Sequence, residues 1–137
     1  MEITRPIIPL ICPNPNREIY SCGSYNGYIA IPMEIWNKIK LPFDEEIHFY
    51  LYDCIPDLDI LPHGGWTYAE EDVCLMRYHN HIPLIDIRNL NINDYCVIGF
   101  DTCHHKDNDI IWNTYNVIDH TFALYDSVIE YIKNYEK

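Results

Sequence analysis

The apolar positions of this chain change period along its length, and the changes mark its elements. Between residues 1 and 18, Pro6, Pro9, Pro13 and Pro15 interleave with Ile7, Ile8, Leu10 and Ile11. Prolines in an apolar run predict an extended segment suited to a sheet edge. Asn14-Pro15-Asn16 reads as a turn. Ser21 to Gly27 reads as a loop in which Asn26-Gly27 can take left-handed angles. Tyr28 to Pro32 is a short β-branched run that predicts a strand stopped by proline. Met33 to Lys40 places Ile35, Trp36 and Ile39 on one side of one or two helical turns, which Pro42 ends.

The middle of the chain is less regular. Ile47 to Tyr52 predicts a strand, and Asp53 to Pro62 a loop broken by Pro56 and Pro62. Trp66 to Tyr68 resumes extended structure, Glu70-Glu71-Asp72 is a solvated turn, and Val73 to Tyr78 predicts a further strand. Residues 79–94 form a long polar loop with a strand-like piece at Ile82–Ile87. Tyr95 to Phe100 is a near-continuous apolar run, the mark of a strand buried on both faces. The acidic loop Asp107-Asn108-Asp109 follows. From Asn113 to Tyr135 the period becomes helical. Ile118, Phe122, Tyr125, Ile129 and Ile132 make one stripe, which Val117, Leu124 and Val128 widen. Asn113 or Asn116 caps the start, and Lys133 and Lys137 suit the negative end. The pattern predicts one α+β domain over residues 1–137. Its short, mostly antiparallel strands are packed by one long C-terminal helix, and residues 1–18 form an extended proline-rich N-terminal segment.

Composition agrees with a folded domain. The chain has 137 residues, 48% of them hydrophobic, which is enough to bury a core. Its net charge is −12, with 21 acidic and 9 basic residues, and the basic ones are scattered. Duplex nucleic acid is excluded as a partner, because that binding depends on cations meeting phosphates. A small phosphorylated ligand is not excluded, since backbone N–H groups and local cations suffice to hold one. Cys12, Cys22, Cys54, Cys74, Cys96 and Cys103 form no C-x-x-C pair. The start Met-Glu-Ile-Thr-Arg-Pro is no signal peptide, and no apolar run reaches membrane-spanning length. The expectation is a cytoplasmic protein with reduced thiols, no membrane partner and no cofactor. Whether it forms a homo-oligomer stays open.

Candidate chemistry gathers in two distant segments. In His63-Gly64-Gly65-Trp66-Thr67-Tyr68, the glycines can turn consecutive N–H groups toward one anion. Thr67 adds a hydroxyl, and His63 could act as acid or base beside the anion. The alternative is a plain glycine turn whose histidine bonds a carbonyl. In Asp101-Thr102-Cys103-His104-His105, the Asp101 carboxylate could fix the tautomer of His104. Asp101, His104 and His63 could otherwise act as three metal ligands, a weaker reading. The plain alternative is an aspartate capping the next turn beside a surface histidine. Cys103 is better read as structural than as a nucleophile, because sequence neighbours in an extended segment point apart. His79 and His81 form an H-x-H pair in what reads as an exposed loop. One of Asp53, Asp57 and Asp59 could orient His63, with a solvated acidic loop as the plain alternative. Tyr25 and Tyr28 could stack on a base or wall a pocket.

Three ordered segments resemble a family of small bacteriophage and bacterial proteins. They are Gly27-Tyr28-Ile29-Ala30-Ile31-Pro32, His63-Gly64-Gly65-Trp66-Thr67-Tyr68 and Ile98-Gly99-Phe100-Asp101-Thr102-Cys103-His104. The likeness spans about residues 22–135. It departs from the family pattern at Trp66, where leucine is usual, in a longer stretch over 70–94, and at the extra His105. The resemblance implies a phage setting, hence the host cytosol, and a shared site. It implies no established activity. Small proteins of that setting counter host defences, some by destroying or sequestering nucleotide signals. The resulting expectation is hydrolysis of a nucleotide-like ligand by His63 and His104, with Asp101 orienting His104 and Gly64, Gly65, Thr67, Tyr25 and Tyr28 binding. The alternatives are sequestration of such a ligand, or inhibition of a host protein through the acidic surface.

Overall fold

The computed structural model describes residues 1–14, 22–39, 60, 62–75, 80–104 and 107–135. The fold is α+β. Among the described residues, five strands form one antiparallel sheet: β1 (Ile8–Pro13), β2 (Tyr25–Pro32), β3 (Tyr68–Val73), β4 (Ile82–Pro83) and β5 (Tyr95–Phe100), in the order β3-β5-β2-β1-β4. A short helix α1 (Met33–Ile39) follows β2, and the long helix α2 (Thr114–Lys133) is the last described element.

The sheet separates two cores. Alternation along β5 sends Cys96, Ile98 and Phe100 toward the helices, and Tyr95 and Val97 to the opposite side. The first core adds Ile29, Ile31, Ile35, Trp36, Ile39 and Trp66 to the buried residues of α2. On the other face, Ile8, Leu10, Ala30, Val73 and Leu75 meet Ile85, Ile87 and Ile92 of the 80–94 loop. The apolar run of β5 therefore has apolar partners on both sides, and all six of its residues are buried.

Helix α2 starts where Asn113 accepts the Asn116 N–H, so Asn113 is the cap. Its buried line is Val117, Thr121, Leu124, Ser127, Val128 and Ile132. The predicted stripe is thus rotated: Ile118, Phe122, Tyr125 and Ile129 are only half-buried flanks. Close packing explains the rotation. A Cβ at Gly27 would lie 2.4 Å from Thr121 Oγ1 and 2.4 Å from Phe100 Cε1, so glycine on β2 admits a small helix residue there. Burying Val117, Leu124, Val128 and Ile132 contributes about 1.5–3 kcal/mol each.

Several elements depart from the sequence reading. The N-terminal run is not an edge, since β1 lies between β2 and the two-residue β4. Strand β2 begins at Tyr25, inside the expected loop. Glu70-Glu71-Asp72 belongs to edge strand β3 rather than to a turn. An edge tolerates such charges, and an irregularity between Glu70 and Val73 breaks its register. There Asp72 adopts φ 59°. The expected strand at 47–52, most of the 53–62 loop, and residues 76–79 lie outside the described residues, as do Pro15 and Asn16. Among the described residues no helix is long and apolar enough to cross a membrane.

Candidate functional site

The two histidine segments meet at one end of the sheet. Strand β5 ends at Phe100 and releases Asp101 to His104. Opposite it, the chain turns at 62–65 before β3, held by the Gly65 N–H on Pro62 O at 2.9 Å and the Thr67 N–H on Gly99 O at 2.9 Å. Gly64 and Gly65 take φ +70° and +84°, angles that ordinary side chains disfavour. The missing side chain of Gly64 has a use. The His104 ring lies against its Cα, and a Cβ there would come within 2.2 Å of Nε2. The His63 and His104 rings then pack edge to face, with centroids 5.2 Å apart.

Carboxylates hold this pair. His63 Nε2 lies 2.9 Å from both oxygens of Asp107. The same carboxylate accepts the His104 backbone N–H at 2.8 Å, so one buried aspartate ties the two segments together. The Asp107 N–H returns a bond to His104 O at 2.9 Å. His104 Nε2 lies 3.2 Å from Asp101 Oδ1. That approach is not aligned for a hydrogen bond, and this buried ring nitrogen has no bonded partner among the described residues. Asp101 Oδ1 instead accepts the Cys103 N–H at 3.0 Å, so Asp101 does cap the turn. The geometry gives Asp101 a place beside His104 without a firm grip on its tautomer.

A third imidazole completes the cluster. The His63 backbone N–H donates to His120 Nε2 at 3.0 Å, so His120 accepts there and carries its own proton on Nδ1. Burial, and next the charge of nearby His63, hold its pKa below the ordinary value. Trp112 lies 4.4 Å from the His63 ring, centroid to centroid, and 5.6 Å from that of His120. Thr102 anchors the strand end, its hydroxyl donating to Tyr25 O at 2.8 Å and its N–H to Asn26 Oδ1 at 3.1 Å.

The anion cradle expected at Gly64-Gly65 does not form. The N–H groups of His63, Gly65 and Thr67 already have protein acceptors, and consecutive free donors are what such a cradle needs. Tyr25 and Tyr28 do not share a wall. Three positions apart on β2, they face opposite sides of the sheet. Tyr25 packs toward the helices. Tyr28 crosses Gly99 and packs on Tyr68 and His81, where burial pushes its hydroxyl up to about 12. His81 lies in a loop but is not exposed: it is half-buried, its ring packed edge-on against Tyr28 with centroids 4.6 Å apart. His79, His105, Asp53, Asp57 and Asp59 lie outside the described residues.

No group of three or more His, Cys, Asp or Glu among the described residues is placed to hold a metal. Asp107, Trp112 and His120 are site residues that sequence reading missed. Asp107 lies in what reads from the sequence as an acidic loop, and its spacing of three from His104 is the one local signal of its role. His120 and Trp112 reach the site through the docking of α2, which no local motif announces. Comparison with protein-family models, with curated proteins and with solved structures finds no match.

Proposed function

We propose that this chain acts on a small phosphorylated, nucleotide-like ligand, with His63 and His104 as an acid–base pair. The observation that carries the reading is their convergence from distant segments onto one aspartate, Asp107. An imidazole with one nitrogen on a carboxylate can take a proton through the other. In this reading His63, held by Asp107, takes the proton from the attacking hydroxyl. His104 gives one to the leaving oxygen. Trp112 offers an aromatic surface for a base. His120, kept neutral by burial, fixes the His63 backbone. The phage setting implied by the sequence resemblance fits a role against a host nucleotide signal in the cytosol.

The test is to incubate the purified chain with a panel of cyclic nucleotides and chromatograph the products. New product peaks that vanish in both His63→Ala and His104→Ala support catalysis. Full turnover in either folded variant sinks it. Intact ligand recovered only after denaturing the protein means sequestration by the same residues.

A specific observation favours a second reading, protein binding. Ile110 and Tyr115 are 82% and 80% exposed, with Ile111 also exposed, beside Trp112 at the start of α2. Exposed apolar clusters often mark partner surfaces. Under that reading every nucleotide stays unchanged and unbound, and inhibition of a host protein fails in an Ile110→Ser, Tyr115→Ser variant.

A further inference from the structure

Two cysteines outside the acid–base pair share one spot in the fold. Beyond β2 and β5 the two chains continue in opposite directions, and the Gly23 N–H donates to Thr102 O at 2.8 Å. Cys22 precedes the donor of that bond and Cys103 follows its acceptor, so the bond brings the two cysteines to one place, where their thiols lie within hydrogen-bond reach of each other. A disulfide asks for such an approach, with Cα atoms roughly 4.4–6.8 Å apart. The approach is close by construction, because a Cβ on Gly23 would lie 2.6 Å from Thr102 Cβ. Asn14 fixes the sulfur from the other side. Its Nδ2 donates to Cys103 Sγ at 2.8 Å, while its N–H bonds Ser24 O at 3.0 Å.

The two thiols differ in access. Cys103 is exposed, whereas Cys22 is 3% exposed. Burial first, and the adjacent Cys103 thiol next, push Cys22 up to about 11. A reagent therefore meets Cys103, and Cys22 is reached from within the molecule.

We propose that Cys22 and Cys103 are a dithiol modification site that closes to a disulfide by exchange with a small disulfide of the glutathione class. The deprotonated Cys103 sulfur attacks oxidised glutathione, the reagent S–S bond breaks, and one glutathione leaves. Cys22 then gives its proton to solvent and attacks the Cys103 sulfur, and the second glutathione leaves. Two protein thiols are oxidised, and one small disulfide is reduced to two thiols. The new bond pins the 101–104 segment that carries Asp101 and His104. Because Cys22 must lose its proton, the second step speeds up about tenfold per pH unit near neutrality.

The experiment incubates the reduced full-length chain with oxidised glutathione, blocks remaining thiols, and maps peptides by mass spectrometry. The expected product lacks two hydrogens and contains a Cys22–Cys103 link, formed at least about tenfold faster than in urea. Cys22→Ser should stop at a glutathione adduct on Cys103. Cys103→Ala, altered at an exposed position, should keep Cys22 reduced with an unchanged circular dichroism spectrum. A wild-type chain that rests as the Cys103 adduct overturns the proposal. So does a link to another cysteine, or equal rates in buffer and urea.

Discussion

Gly64→Ala tests whether the absence of a side chain at residue 64 positions His104. The substitution does two separable things. It places a Cβ at φ +70°, which costs about 1 kcal/mol for an L-residue. It also sets that Cβ 2.2 Å from Nε2, 2.5 Å from Cε1 and 2.7 Å from Cδ2 of His104. A ring at the end of a side chain can swing away, so the contact is relieved by moving His104 off His63. The second effect should add about 1 kcal/mol of coupling. Urea unfolding of wild type, Gly64→Ala, His104→Ala and the double variant isolates it. We expect Gly64→Ala to cost about 2 kcal/mol alone, close to 8 °C in melting temperature, but only about 1 kcal/mol in the His104→Ala background. NMR of the imidazole protons should show His104 displaced in the single variant. Costs that add within about 0.3 kcal/mol, with His104 resonances unmoved, would refute the packing argument.

Other outcomes follow from the same contacts. Burial holds His81 and His120 below the ordinary imidazole value of 6.5. The unfolded chain therefore binds more protons below pH 6.5. The stabilisation is complete above that pH and is lost as pH falls toward the lowered native values. Urea midpoints should drop between pH 7.5 and pH 5.5, less steeply in His120→Gln, and a flat profile would contradict this. Asp107→Asn keeps one acceptor for the His104 N–H but loses the charged partner of His63. It should cost about 1–2 kcal/mol in urea unfolding and, if turnover is found, lower it far more than it lowers ligand affinity. Arg5 bonds both Glu34 oxygens and the carbonyls of Asn91, Asn93 and Asp94, with its guanidinium over the Tyr95 ring. Glu34 is solvent-exposed, so screening weakens that ion pair, and Arg5→Ala should cost only about 1 kcal/mol. A loss above about 3 kcal/mol would mean a buried network instead.

How legible each feature was depended on whether local pattern or tertiary docking set it. Strand β5 and the apolar side of α1 were readable because their burial follows directly from local period. The long helix was readable as an element, but its buried line was not. The Gly27–Thr121 contact rotates the helix, and only the assembled sheet supplies Gly27. Glu70-Glu71-Asp72 has the composition of a solvated turn, but an edge strand leaves such side chains equally exposed, so charge alone does not separate the two. At the site, both histidine segments stood out by composition, and their meeting could not be derived. Asp107 was invisible because its burial depends on receiving His63 from 44 residues away. Gly64-Gly65 has the composition of an anion cradle, but closing the turn engages the Gly65 N–H on Pro62 O, and a pair of consecutive free donors is lost.

The most direct test of the acid–base account is phosphorus NMR of a cyclic nucleotide mixed with catalytic amounts of the purified chain. The account predicts that the diester resonance decays into a monoester resonance with the wild-type chain. It predicts no decay with His63→Ala or His104→Ala when both remain folded. A diester signal that persists with the wild-type chain across the panel of nucleotides would contradict it, as would decay at the same rate in the two variants.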